Sequence, residues 1–131
     1  MGAGAILFLD DSPERTKVFK SKIPSAITVA TAAECIQYLA DSMKLGWSAW
    51  EWVFLDHDLG GSEFADSSQP DTGMEVVRWI VANQPVIKTI VVHSVNAAAS
   101  LEMTRTLREA GYQVLCIPFA WKYAEKLCYD A

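Results

Sequence analysis

Basic residues are in short supply in this sequence: 11 Lys and Arg stand against 16 Asp and Glu, a formal net charge of −5. A groove for duplex nucleic acid needs a basic stripe to neutralise phosphates, so that class of partner is excluded. The deficit still allows a nucleotide held beside a metal ion, because the cation reverses the local charge balance. Cysteine is scarce and odd in number. Cys35, Cys116 and Cys128 show no C-x-x-C spacing, which argues against a disulfide framework and for a reducing, cytoplasmic setting. No apolar run nears the ~20 residues of a membrane span, and no basic-then-apolar leader opens the chain. Ile6 stands where a myristoylation signal wants Ser or Thr. A membrane is therefore not an expected partner. Only two histidines occur, His57 and His93.

What is present is apolar and patterned. Of 131 residues, 51% are hydrophobic, enough to bury the core of one domain spanning 1–131, with no internal repeat or low-complexity tract. The runs AILFL (5–9), AITVA (26–30), WVFL (52–55), TIVVH (89–93) and QVLCI (113–117) read as strands. Between them lie helical patterns. Ser12 and Pro13 supply an N-cap and a first-turn proline, and Thr31 with Glu34 forms a capping box. Gly46 and Gly111 mark helix stops near 44 and 110, a third helix covers 72–84, and a short terminal helix runs from about 120 to 129. Five strands alternating with helices predict an α/β fold, a doubly wound parallel sheet in the flavodoxin-like order 2-1-3-4-5 with helices on both faces.

Such sheets bind ligands outside the carboxyl ends of their strands, at the switch in strand order. There the sequence is crowded with ionisable groups. Asp10 and Asp11 end the first strand, Asp56, His57 and Asp58 end the third, and His93, Ser94 and Asn96 end the fourth. Four carboxylates at one sheet edge repel one another, and a hard cation such as Mg²⁺ or Mn²⁺ with oxygen ligands is the natural remedy. Asp11, beside the Ser12-Pro13 start, reads equally as part of a helix cap.

ILFLDDS, VFLDHDL, DTGMEVVRWI and IPF together resemble the response-regulator receiver fold over nearly the whole chain. The resemblance implies that Asp10 and Asp11 hold a divalent ion and that Asp56 occupies the phosphoryl-acceptor position. Ser94 matches the small hydroxyl residue after strand four. The chain departs from that pattern in four places. Ile117 stands for the receiver lysine, Val114 for the aromatic switch residue, the loop after Asp56 is longer, and both histidines sit at strand tips. LDHDLGG with VVHSVN and the lost lysine is similar to the cyclic-phosphate processing receiver-like domains. That resemblance implies a phosphoesterase acting on a cyclic-phosphate nucleotide or RNA end.

Under that implication His57 and His93 are acid and base, since an imidazole with a pKa near 6.5 serves either role at neutral pH. Asp56 joins them in the catalytic set. Asp10, Asp11, Asp56 and Asp58 form the metal-binding set, and Ser94 and Asn96 hold phosphate oxygens. The histidines also suit metal ligation, and Asn96 suits a helix cap. Side chains alternate along a strand, so Asp56 and His57 share a crevice only if the backbone turns between them. The loop GGSEFADSSQPDTG reads as a lid or as an insertion. Trp52 reads as core, and Trp47 and Trp50 as packing or as an aromatic surface for a protein partner. Two rivals follow: a pseudo-receiver that binds a ligand or protein without catalysis, and an atypical receiver phosphorylated on Asp56.

Overall fold

The computed structural model describes residues 5–46, 49–59 and 66–129. Its strands are β1 (Ile6–Leu9), β2 (Ile27–Val29), β3 (Trp50–Leu55), β4 (Ile87–Val92) and β5 (Val114–Cys116). They pair in parallel in the order β2-β1-β3-β4-β5. The helices are α1 (Pro13–Lys22), α2 (Ala32–Lys44), α3 (Gly73–Asn83) and α4 (Ala97–Glu109). A 3₁₀ turn at Ala120–Tyr123 leads into α5 (Ala124–Tyr129). No described helix is long and apolar enough to cross a membrane.

Strand alternation splits the core in two. Leu7, Leu9, Val53, Leu55, Ile90 and Val92 face α2, α3 and α4 in the larger cluster. Ile6, Phe8, Phe54 and Val91 face α1 and α5 in the smaller one. Phe8 stacks on Phe19 of α1 with ring centroids 4.0 Å apart, and Phe54 meets Phe19 edge-on at 4.9 Å. These rings dock α1 onto the sheet, and with it whatever the first turn of α1 carries.

The caps read from the sequence are made. Ser12 Oγ accepts from Arg15 N, and Thr31 Oγ1 accepts from Glu34 N at 3.1 Å. Gly46 and Gly111 take φ of 70° and 99°. Helix α3 ends differently, on Gln84 with a left-handed φ of 53°. Strands β3 and β4 each begin two residues earlier than periodicity suggests. Trp50 is the reason for β3: its indole is buried, and Nε1 donates to Ser42 Oγ at 2.9 Å, which removes the cost of burying that N–H. Trp50 is therefore core, not an aromatic surface for a partner. Trp52 is half-buried against the smaller cluster. Trp47 lies outside the described residues, as do residues 60–65 of the long loop.

That loop returns tightly. Asp58 and Thr72 form an antiparallel bridge, Gly73 N donates to the His57 carbonyl at 2.9 Å, and Asp71 accepts from Ala32 N at the start of α2. A Cβ on Gly73 would lie 2.1 Å from the Asp56 carbonyl oxygen and 2.8 Å from Met103 Cε. Gly73→Ala should therefore cost at least the upper part of the ~1–3 kcal/mol range for overpacking, because backbone on one side cannot yield. Gly46→Ala meets only open space and should cost about 1 kcal/mol for its positive φ. Thermal melts of the two variants check this ranking.

Candidate functional site at the carboxyl edge of the sheet

Sheet register assembles the site. Leu9 pairs with Leu55, and Leu55 with Val92. Val92 in turn pairs with Cys116. One residue further on, Asp10, Asp56, His93 and Ile117 therefore stand side by side across four strands. The pairing continues into this row: Asp10 N donates to Val29 O, Asp56 N to Leu9 O, His93 N to Leu55 O, and Ile117 N to Val92 O. By parity their side chains belong to the α1 and α5 face. Ser94, which the resemblance matches to the small hydroxyl residue after strand four, comes one step later. The residue in register with Asp56 is His93.

One carboxylate oxygen each from Asp10, Asp11 and Asp56 lies within 4.8 Å of the others. All three donors are hard oxygens, so the set fits Mg²⁺ or Mn²⁺ after modest contraction, given metal–oxygen bonds of ~2.1 Å. Asp58 is not part of this group. The sequence reading also missed a member. Arg15 in the first turn of α1 clasps Asp10 with two hydrogen bonds, Nε to Oδ2 at 2.8 Å and Nη2 to Oδ1 at 2.9 Å. Its Nη2 also lies 3.9 Å from Asp11 and 3.7 Å from Asp56. A basic residue four after Asp11 at a helix start is the signal that could have found it.

Asp56 is buried, and its Oδ1 accepts from the following amide, His57 N, at 2.9 Å. Burial and the neighbouring Asp10 push its carboxyl up to about 7, against a smaller downward pull from Arg15. The Arg15 guanidinium is raised further still by its hydrogen bonds to Asp10.

The histidines, His57 past the end of β3 and His93 past the end of β4, part company. His93 lies flat on Phe8, centroids 5.0 Å apart, with Nε2 3.2 Å from the Leu9 carbonyl. Because a carbonyl only accepts, Nε2 carries the proton. Nδ1 is then unprotonated in the neutral ring, 3.8 Å from Asp10 Oδ2. Burial pulls its pKa down to about 4, with Asp10 acting the other way. His57 follows the opposite parity and is equally buried. Its Nδ1 is 2.7 Å from Asp58 Oδ1 and its Nε2 2.9 Å from Ser67 Oγ. An ionised carboxylate accepts, so Nδ1 donates to Asp58 and Nε2 accepts from the Ser67 hydroxyl. Among the described residues, the hydrogen-bond partners of the two imidazoles are different.

Asn96 ties the second group together. Its Nδ2 donates to Asp58 Oδ1 at 3.2 Å while its Oδ1 caps α4 through Ala99 N. Ser94 Oγ accepts from Asn96 N, and the Ser94 carbonyl accepts from Ser100 Oγ. The edge thus holds two groups. Asp10, Asp11, Asp56, Arg15 and His93 meet on the α1 side. His57, Asp58, Ser67 and Asn96 meet on the other.

Asp56 and His93 should give opposing pH dependences of stability. Between pH 4 and 6.5 the folded chain keeps the Asp56 proton that the unfolded chain releases near its ordinary 3.8, so raising the pH costs stability. For His93 the unfolded chain takes up a proton near 6.5 that the folded chain refuses, so raising the pH gains stability. In chelator, Asp56→Asn should make the melting temperature climb more steeply over this window than wild type. His93→Gln should make it fall through pH 7. Parallel curves for all three proteins would contradict the assignment.

Comparison with known proteins agrees with this fold. The signal receiver domain of a protein described as a Luxo repressor from Vibrio parahaemolyticus superimposes with a TM-score of 0.64 at 17% identity, over 95% of this chain and 85% of that one. The Mn²⁺-bound form of response regulator Rcp1 gives 0.62 at 13% identity, over 98% and 96%. The response regulator domain of Thermotoga maritima CheB gives 0.58 at 15%, over 97% and 91%. At such identities the likeness establishes the fold. No protein of curated function matches the chain. Residues 5–109, which carry both groups of site residues, match the model of the cyclic-phosphate processing receiver domain. The chain belongs to the cyclic-phosphate processing receiver domain family.

Proposed function

We propose that the chain is a metal-assisted phosphoesterase that processes a cyclic phosphate, on a nucleotide or an RNA end, at the carboxyl edge of β1, β3 and β4. The observation that carries this reading is the carboxylate row, with three hard donors converging where doubly wound sheets bind ligands. Asp10, Asp11 and Asp56 would hold Mg²⁺ or Mn²⁺, and the Mn²⁺-bound state of Rcp1 on the same fold supports that choice. A divalent ion there supplies Lewis-acid polarisation of a phosphoryl oxygen.

The chain's own residues supply the proton transfers. Asp58 holds the Nδ1–H of His57, which leaves Nε2 able to take a proton from a hydroxyl or water standing where Ser67 Oγ stands, and to return it to the leaving alkoxide. His93 has its unprotonated Nδ1 on the Asp10 side, where it would steady the metal set. Ser94 and Asn96 brace the start of α4, and Asn96 also braces Asp58; in this reading their polar groups would hold phosphate oxygens. The binding-only rival is favoured by one observation, the full burial of both imidazoles. An acyl phosphate on Asp56 is disfavoured, because its carboxylate is buried with Oδ1 already accepting from the His57 amide, and Ile117 leaves β5 without a cation.

A panel of 2′,3′-cyclic and 3′,5′-cyclic nucleotides and cyclic-phosphate RNA ends, with Mn²⁺ or chelator, tests the reading. Turnover should require the metal and fall about 10²–10⁴-fold in His57→Ala or His93→Ala, and the double variant should be little worse if the pair acts as a unit. Tight binding of a panel member without turnover would instead favour the binding module. Incubation with acetyl phosphate and Mg²⁺, read by intact mass, should leave Asp56 unmodified. An Asp56-dependent adduct of one phosphoryl group, a gain of ~80 Da, would restore the phospho-acceptor reading.

A further inference from the structure

We infer that Arg15 and the divalent cation compete for the same carboxylates, and that the guanidinium so released is the phosphate-recognising group of the site. The inference rests on the proposed metal site and adds the residue that reads the substrate's charge.

Arg15 meets Asp10 through a planar fork, and the same Nη2 faces Asp11 and Asp56. Asp10 is already heavily committed: Oδ1 accepts from Ser12 N at 2.8 Å and from Arg15, and Oδ2 accepts from Arg15 again. A carboxylate offers about four lone-pair sites and three of those on Asp10 are taken, so a metal would have to share Oδ2 with the guanidinium that already holds it. Charge acts in the same direction, since a divalent ion among these oxygens repels the cation beside them. Arg15 has somewhere to go. Its side chain is 38% exposed, whereas those of Asp10 and Asp56 are 0% and 7%. The long stem pivots on the first turn of α1, which the Phe8–Phe19 stack keeps fixed.

The released fork stays at the rim of the crevice. Guanidinium geometry matches two phosphate oxygens at once, and arginine stays charged at every working pH. The row itself offers no other cation, because its fourth position is Ile117. A neutral His93 cannot fill the role. Arg15 thereby supplies from α1 the positive charge that a lysine on β5 would otherwise supply.

Calorimetry with Mn²⁺ alone, then with inorganic phosphate added to the Mn²⁺-loaded protein, tests both halves on the full chain. Arg15→Gln should bind Mn²⁺ about 5- to 50-fold more tightly than wild type, within the usual range for linked binding events. The loaded variant should bind phosphate at least about tenfold more weakly than loaded wild type, the order expected for losing a charge-assisted bidentate contact. Arg15→Lys, which keeps the charge without the fork, should fall between them in both measurements and guards against a fold defect in the glutamine variant. Equal Mn²⁺ affinity in wild type and Arg15→Gln would overturn the competition while leaving the metal site intact. Tighter Mn²⁺ with unchanged phosphate binding would overturn the recognition half. If neither protein binds Mn²⁺ at millimolar concentration, the metal site proposed above fails, and this inference fails with it.

Discussion

In-register pairing of β1, β3 and β4 is the constraint on which the site depends. Once Leu9 is fixed beside Leu55 and Leu55 beside Val92, the next residue of each strand has no freedom over its neighbours. Two aspartates and a histidine are brought side by side at the end of an apolar sheet. The energy that holds them there comes from elsewhere, from the buried leucines, valines and phenylalanines of the two core clusters. A slip of one residue would turn each of these side chains to the other face, so the hydrophobic pattern that specifies the register also specifies the site.

Electrostatic frustration at this edge is contained, not abolished. The carboxylates of Asp10 and Asp56 are both withdrawn from water, and Arg15 is fully bonded to one while only near the other. That asymmetry fits the shift of Asp56 toward its protonated form. Such a group gains from any cation that approaches, which is a physical basis for linking occupancy of the site to stability. His93, stacked on Phe8 and bonded to Leu9, is held neutral beside them and adds no further charge.

The tip of β3 divides the chemistry between two faces. Asp56 and His57 are adjacent in sequence but point apart, as strand geometry requires. The turn begins at this point, where Asp56 Oδ1 accepts from the His57 amide and Gly73 donates to the His57 carbonyl. His57 is consequently drawn into a hydrogen-bonded chain running from Ser67 through the imidazole to Asp58 and Asn96. Only a glycine lets α3 start so near the Asp56 carbonyl. The packing of that helix and the orientation of the histidine are thus one structural problem with one solution.

The strand order, the two-faced helical cover, most caps and the convergence of Asp10, Asp11 and Asp56 were legible in the sequence. They follow from local periodicity and from the limited topologies of a parallel sheet. The alternation that separates Asp56 from His57 was legible too. The role of Arg15 was not, because its partners lie beyond the ends of two strands and the approach of its own helix to them is set by the Phe8–Phe19 stack. Nor was the Ser67–His57–Asp58 chain, which needs the return path of a long loop to bring Ser67 ten residues back to the imidazole. Trp50 illustrates the same division: its apolarity was evident, but only the tertiary structure supplied Ser42 as the acceptor that lets the indole be buried. The sequence by itself determined which residues reach the edge of the sheet, since period and register are local and pairwise properties. Only the tertiary structure decided which of them touch, because contact between side chains depends on how separate elements pack.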